Sequence, residues 1–254
     1  MITTATPGAL PRCSALPRDA AARLAATEYE RFTAAIAELR PEDWALPTDC
    51  PAWDVQQLVG HVVGMARLAA SPLEQLRQQR ASAARRPPGT PQIDSLTAVQ
   101  VDKYAPLGPE RLVRLMERTG PRAAKGRKRM PGFLRRRTLP EPELVDGVPE
   151  EWTLGFVVDT ILTRDTWMHR VDLARATGRP MHLTADHDGV LVADVVAEWV
   201  GRHGQPCRLE LTGPAGGTWS HGTGTPIELD AVEFCRLVSG RGTTDGLLSC
   251  HVPF

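Results

Sequence analysis

Arg164-Asp165-Thr166-Trp167-Met168-His169-Arg170-Val171-Asp172 sets a carboxylate and an imidazole four residues apart, inside a segment, Trp152 to Thr177, that reads as one long helix. On a helix that spacing puts Asp165 and His169 on one face, one turn apart. Gly178 and Pro180 close the segment, as a left-handed cap and a residue that cannot continue a helix. Trp167, Met168 and Val171 flank the pair and predict partial burial. A buried carboxylate is costly unless it is paired or ligates a metal. Two protein ligands rarely hold an ion, and His61, in a second strongly helical segment, is the candidate third. Three N/O ligands with one open position is the arrangement of a catalytic zinc site rather than a structural one. Spacing alone leaves the ordinary readings open: an i,i+4 hydrogen-bonded pair on a helix surface, and a satisfied core histidine. Asp172 follows His169 by three residues and has two candidate partners, the second ring nitrogen of His169 or the guanidinium of Arg170 or Arg175.

Working outward, Arg18 to Leu39 carries apolar residues at helical spacing and ends at Pro41. A proline-punctuated loop, Trp44 to Trp53, leads to Asp54, a plausible N-cap for a helix expected to run to about Arg80. Val55, Leu58, Val59, Val62, Val63, Ala66 and Ala69 form its apolar stripe, and His61 lies inside it. Ser95 to Tyr104 and Gly108 to Arg118 read as further helices. The basic run Lys125 to Arg137 and the acidic, Pro-rich stretch Thr138 to Glu150 read as an irregular, charged excursion with a solvated face, in which Glu141, Glu143, Asp146, Glu150 and Glu151 balance the basic residues. After Pro180 the texture changes. Gly189 to Gly201 reads as a helix, Cys207 to Thr212 and Pro226 to Leu229 as strands, and Asp230 caps a helix to Val238. The expected organisation is a short disordered lead (1–16), a helical bundle (17–180) and a small α+β domain (181–254).

The 30 basic and 30 acidic residues balance, which argues against nucleic acid or an anionic membrane as the main partner. No apolar run approaches the ~20 residues that span a bilayer. The N-terminus shows no basic-then-apolar export pattern, and the five cysteines include no CxxC pair. The expectation is a cytoplasmic protein with reduced thiols. Cys50 precedes a helix start, where a thiolate is stabilised, although a buried loop cysteine is the ordinary reading. Gly213 to Gly217 precedes strand-like residues rather than a helix and reads as a turn, not a dinucleotide loop.

The run Trp44-Ala-Leu-Pro-Thr-Asp-Cys-Pro-Ala-Trp-Asp-Val-Gln-Gln-Leu-Val-Gly-His61 resembles the N-terminal signature of the mycothiol-dependent maleylpyruvate isomerase family, a branch of the DinB-like metal-binding four-helix bundles. The DxxxHRxD segment and the following ATGRP, residues 165–180, are similar to its second metal motif. Leu209 to Trp219 and Asp230 to Arg241 are similar, more loosely, to its C-terminal α+β domain. The resemblance implies a mainly α chain, a DinB-like four-helix bundle followed by a smaller α+β domain. It implies the metal ligands His61, Asp165 and His169, zinc or another divalent metal, and mycothiol as a low-molecular-weight thiol. The implied activity is isomerisation of, or S-transfer to, a small electrophile. The family usually has glutamate where this chain has Asp165, one methylene shorter. Arg241, in a Ser-Gly-Arg turn, is the candidate cation for orienting the thiol. A hydrolase with metal-bound water and a non-catalytic ligand-binding bundle are the competing classes; a monomer or small homo-oligomer is compatible with either.

Overall fold

In the computed structural model residues 10–254 are described; Met1 to Ala9, most of the expected lead, lie outside them. The chain divides into two compact units. The first comprises Pro17–Arg137 and Thr153–Met181 and holds helices α1 (Arg18–Ala37), α2 (Val55–Ala70), α3 (Pro72–Arg85), α4 (Gln92–Tyr104), α5 (Pro109–Arg129), α6 (Gly132–Arg135), α7 (Leu154–Phe156) and α8 (Leu162–Thr177).

Four of these close a ring: α1 packs on α5, α5 on α2, α2 on α8 and α8 on α1. This is the expected four-helix bundle. Phe32, Ile36, Leu58, Val59, Val62, Val63, Leu112 and Met116 are almost wholly buried at its centre. Each such side chain contributes about 1.5–3 kcal/mol on removal from water. Helices α3 and α4 pack on each other and on the outer side of α2. Close approach requires glycine at specific points. A Cβ on Gly64 of α2 would sit 2.6 Å from Gln100 Cγ of α4, and one on Gly126 of α5 would sit 2.3 Å from the Ala69 carbonyl oxygen.

The helix begun at Asp54 opens with a capping box: Asp54 accepts from the Gln57 amide at 2.8 Å, and Gln57 Oε1 accepts from the Asp54 amide at 2.9 Å. It stops at Ala70 rather than near Arg80. Ser71 is extended and its side chain caps α3, with Pro72 at the first helical position, so the apparent single helix is two. The charged excursion also differs from expectation. Helix α5 continues through Pro121 to Arg129, and Arg127 is buried, not solvated. Its Nε donates to the Val158 carbonyl at 2.6 Å and Nη1 to the Tyr29 hydroxyl at 3.3 Å, while Nη2 donates to Thr163. Arg135 pairs with Asp159. The expected helix from Trp152 to Thr177 is present from Leu154, but contains a π turn over Val157–Ile161 just before α8. Gly178, at φ 66°, forms the left-handed cap at its end.

The second unit comprises residues 10–16, Thr138–Trp152 and His182–Phe254. Thr138–Trp152 therefore leaves the bundle to which the sequence assigned it. It forms a hairpin, β1 (Glu143–Val145) and β2 (Val148–Glu150), turned by Asp146 and Gly147 with φ of 52° and 74°. Glu150 of that hairpin accepts from Arg202 at 2.7 and 3.1 Å and from Arg12 at 3.3 and 3.4 Å. The Arg12 amide donates to the Glu151 carbonyl at 2.7 Å, so the described part of the expected disordered lead is ordered. Helix α9 (Asp188–His203) precedes a three-stranded sheet of order β4-β3-β5, from β3 (Cys207–Thr212), β4 (Gly217–His221) and β5 (Pro226–Asp230). β3 is antiparallel to β4 and parallel to β5. Asp230 caps α10 (Ala231–Val238), and Trp199 of α9 meets Phe234 of α10 edge-on at 5.3 Å. Among the described residues no helix is long and apolar enough to cross a membrane.

Candidate metal centre

Helices α2 and α8 bring His61, Asp165 and His169 together. Asp165 Oδ1 lies 3.6 Å from His61 Nε2 and 3.4 Å from His169 Nε2. The imidazole centroids are 5.1 Å apart and the rings nearly perpendicular, at 81°. Trp53, from the loop before α2, covers both at 5.2 and 5.9 Å. Both histidines are buried, while the Asp165 side chain keeps 19% of its exposure and opens the trio toward solvent.

The outer nitrogens of the two rings determine what the inner ones present. His169 Nδ1 lies 3.0 Å from Asp172 Oδ2, and Asp172 is fully buried. An ionised carboxylate only accepts, so His169 donates through Nδ1 and a neutral ring turns the Nε2 lone pair on Asp165. Cys50 Sγ also donates to Asp172 Oδ2, at 3.6 Å. Asp172 thus partners histidine; Arg170 pairs with Glu28 and Arg175 with Asp49 instead. His61 Nδ1 lies 2.8 Å from Gln100 Oε1, which likewise leaves its Nε2 facing Asp165.

Two ring lone pairs and a carboxylate oxygen therefore converge with no donor between them, and Asp165 Oδ2 is buried without a hydrogen-bond partner. Three mutually facing acceptors demand a cation. A tetrahedral ion with bonds of about 2.0–2.1 Å has ligand-to-ligand edges of about 3.3–3.4 Å. The measured 3.4 and 3.6 Å match that edge, and two imidazoles with one carboxylate suit a divalent transition metal. In the metal-free protein a proton takes the cation's place. Burial alone would raise the Asp165 carboxyl, but the charges and hydrogen bonds of His169 and His61 hold it far below the usual carboxylate range. Burial alone would lower His169, but the Asp165 carboxylate beside it, with Asp172, raises it well above an ordinary imidazole.

The family model for the mycothiol maleylpyruvate isomerase N-terminal domain matches residues 25–174, which cover most of the bundle and all three converging residues. The chain belongs to this family. Two uncharacterised proteins of Mycobacterium tuberculosis, from strains CDC 1551 / Oshkosh and ATCC 25618 / H37Rv, are each 27% identical to it over 231 residues, covering 84% of this chain and 82% of theirs. The crystal structure of the mycothiol-dependent maleylpyruvate isomerase superposes with a TM-score of 0.56 at 17% identity, covering 89% of this chain and 90% of that one. A mutant of the same enzyme gives 0.56 at 16%. At that identity the likeness is one of fold, and it extends over bundle and α+β unit alike.

Arg241, the other residue singled out in the sequence, belongs to the second unit, on the turn after α10. Its Nη1 donates to Ser239 Oγ at 3.2 Å and its carbonyl accepts from Arg236 at 3.0 Å. Sequence reading missed Trp53, the covering ring, and Gln100, the partner of His61. Gln100 stands 39 residues from His61 in the chain, on a helix with no metal motif, and no local spacing signals it.

Proposed function

We propose that this chain is a mycothiol-dependent isomerase of the maleylpyruvate isomerase type, with His61, Asp165 and His169 as the ligands of a divalent metal, zinc by preference of the donor set. The observation that carries the reading is the Asp165 carboxylate, whose Oδ1 stands 3.6 and 3.4 Å from the His61 and His169 ring nitrogens and whose Oδ2 is buried without a hydrogen-bond partner. Bound there, the metal would supply a positive charge that stabilises a thiolate near neutral pH. The substrate class is a small, conjugated unsaturated acid. A thiolate adds to one alkene carbon, the former double bond rotates as a single bond, and expulsion of the thiolate restores the alkene in the other geometry. No atoms are gained or lost.

The chain's own residues have four tasks in this scheme. Asp172 takes the His169 Nδ1 proton and fixes that ring's tautomer, and Gln100 does the same for His61. Trp53 excludes water from the two rings. Asp165, the most exposed of the three ligands, marks the side from which thiol and substrate arrive. Its shortness relative to glutamate is accommodated because its Oδ1 already stands at the tetrahedral edge from both rings.

The test is elemental mass spectrometry of the purified chain beside His169→Ala and Asp165→Ala, followed by maleylpyruvate isomerisation with and without mycothiol. The expected result is about one zinc per wild-type chain, lost in both variants, with turnover only when thiol is added. A wild-type chain that takes up no metal from excess zinc refutes the reading; turnover without thiol refutes the thiol's part in it.

A further inference from the structure

Behind His61 runs a buried chain of side chains with one direction. Gln100 Oε1 faces His61 Nδ1 at 2.8 Å. Gln100 Nε2 donates to Gln78 Oε1 at 2.9 Å and to Met65 Sδ at 3.0 Å. Gln78 Nε2 in turn donates to the Gly64 carbonyl at 3.1 Å and to Glu74 Oε1 at 3.2 Å. Glu74 ends the chain, paired with Lys103 and, at 3.8 Å, with Arg67. Gln100 is fully buried, and Gln78 and Glu74 nearly so.

The direction follows from the far end. Glu74 is ionised: burial alone would raise its carboxyl, but hydrogen bonds from Lys103 and Gln78 and the charges of Lys103 and Arg67 lower it. A carboxylate and a backbone carbonyl both accept only, so the Gln78 amide must turn its NH2 to Glu74 and Gly64. Its oxygen then faces Gln100, which must present NH2 there and its own oxygen to His61. Histidine must meet that oxygen with Nδ1–H. Reversing any one amide sets acceptor against acceptor and donor against donor in a buried site. The fold makes room for this chain: Gly64 lacks the Cβ that would strike Gln100 Cβ, Cγ and Cδ at 2.6–2.9 Å.

We propose that Gln100 is a positioning residue for the metal site, held by Gln78 and Glu74 so that His61 always offers Nε2 to the ion. This rests on the metal reading above and adds a residue set that acts on the ligand from behind. Outer partners of metal-bound histidines typically change affinity 10–100-fold when removed.

Zinc affinity is measured by chelator competition on the full-length chain, beside thermal midpoints, for wild type, Gln100→Leu, Gln100→Glu and Gly64→Ala. Gln100→Leu is expected to lose 10–100-fold in affinity. Gln100→Glu keeps an acceptor for His61 but turns a carboxylate oxygen on Gln78 Oε1. It is therefore expected to bind zinc within about threefold of wild type while melting lower than wild type, which a merely structural role would not produce. Gly64→Ala, which displaces Gln100 and removes no polar group, is expected to weaken binding as well, and supplies the test should Gln100→Leu fail to fold. Equal affinity of Gln100→Leu and wild type, or equal loss in Gln100→Leu and Gln100→Glu, overturns the proposal and leaves the metal site standing. Absence of zinc binding in the wild type overturns both.

Discussion

The register of α8 against α1 is held by an ion pair that can be tested directly. Arg170, next in sequence to His169, donates Nε to Glu28 Oε1 at 2.8 Å and Nη2 to Glu28 Oε2 at 3.1 Å. The Arg170 side chain is 3% exposed and that of Glu28 1%. Two parallel charge-assisted bonds form a geometry-specific clamp. Removing one member of a buried pair strands the other charge, at about 3–5 kcal/mol. Glu28→Gln keeps one acceptor oxygen, which places its expected cost near the lower end, about 3 kcal/mol. For a unit of this size that corresponds to a fall in thermal midpoint of roughly 6–12 °C. Arg170→Met should cost about as much. The double variant separates pairing from packing: it should be more stable than the sum of the single effects implies, with a coupling of about 2 kcal/mol, within the range for residues in direct contact. Urea unfolding of the four proteins, all zinc-loaded, gives the cycle. Additivity within about 0.5 kcal/mol, or a Glu28→Gln cost under about 1 kcal/mol, would refute the claim that the pair clamps the two helices.

Three further outcomes are expected. Asp172→Asn exchanges a charged acceptor behind His169 for a neutral one and should lower zinc affinity 10–100-fold with the fold intact, read by chelator competition and circular dichroism. Gly126→Ala drives a Cβ to within 2.3 Å of the Ala69 carbonyl oxygen, a backbone atom that cannot rotate away. It should destabilise the bundle by about 1–3 kcal/mol in urea titration, and a neutral result would show that α2 and α5 separate easily. In the second unit, burial alone would raise the Glu150 carboxyl, but hydrogen bonds from Arg202 and Trp152 and the charges of Arg202 and Arg12 depress it. A depressed carboxyl stabilises fully above its unfolded value and is lost as pH falls through the folded value. Glu150→Gln should therefore lower stability at neutral pH and flatten its decline below about pH 4.5, the ordinary value for glutamate. Parallel acid limbs for variant and wild type would contradict this.

What was legible in the sequence was whatever local spacing controls. Asp165 and His169 declare themselves because four residues along a helix is a spatial statement. The α+β tail is legible for the same reason: β3 alternates buried and exposed residues along Cys207–Thr212, and Asp230 caps α10 as its position predicts. The break at Ser71–Pro72 was also written locally, as a cap followed by proline at the first helical position, but the apolar stripe around it obscured the signal. Arg127 was misread because its solvent-like composition is overridden by three partners distant in sequence: Tyr29, Val158 and Thr163. The π turn before α8 has no compositional signature at all. It adds a residue to one turn and so alters the face that everything after it presents, including Asp165 and His169.

The two histidines of the candidate centre are held by unlike means, and the difference has a consequence. His169 leans on a buried carboxylate, Asp172, whose charge makes the ring a stronger donor and draws it toward any cation, a proton included. His61 leans on an amide that contributes direction and no charge of its own, the nearest charge on that path being Glu74 at its far end. A site with carboxylates behind both rings would hold its ion with more negative charge and leave less of the ion's own charge to act on an incoming thiol. With one of each, the trio carries a single ligating carboxylate and a single outer one, Asp165 and Asp172. Two carboxylates would balance a divalent ion's two charges and no more, so under the function proposed above the centre would stay neutral rather than turn negative toward an incoming thiolate.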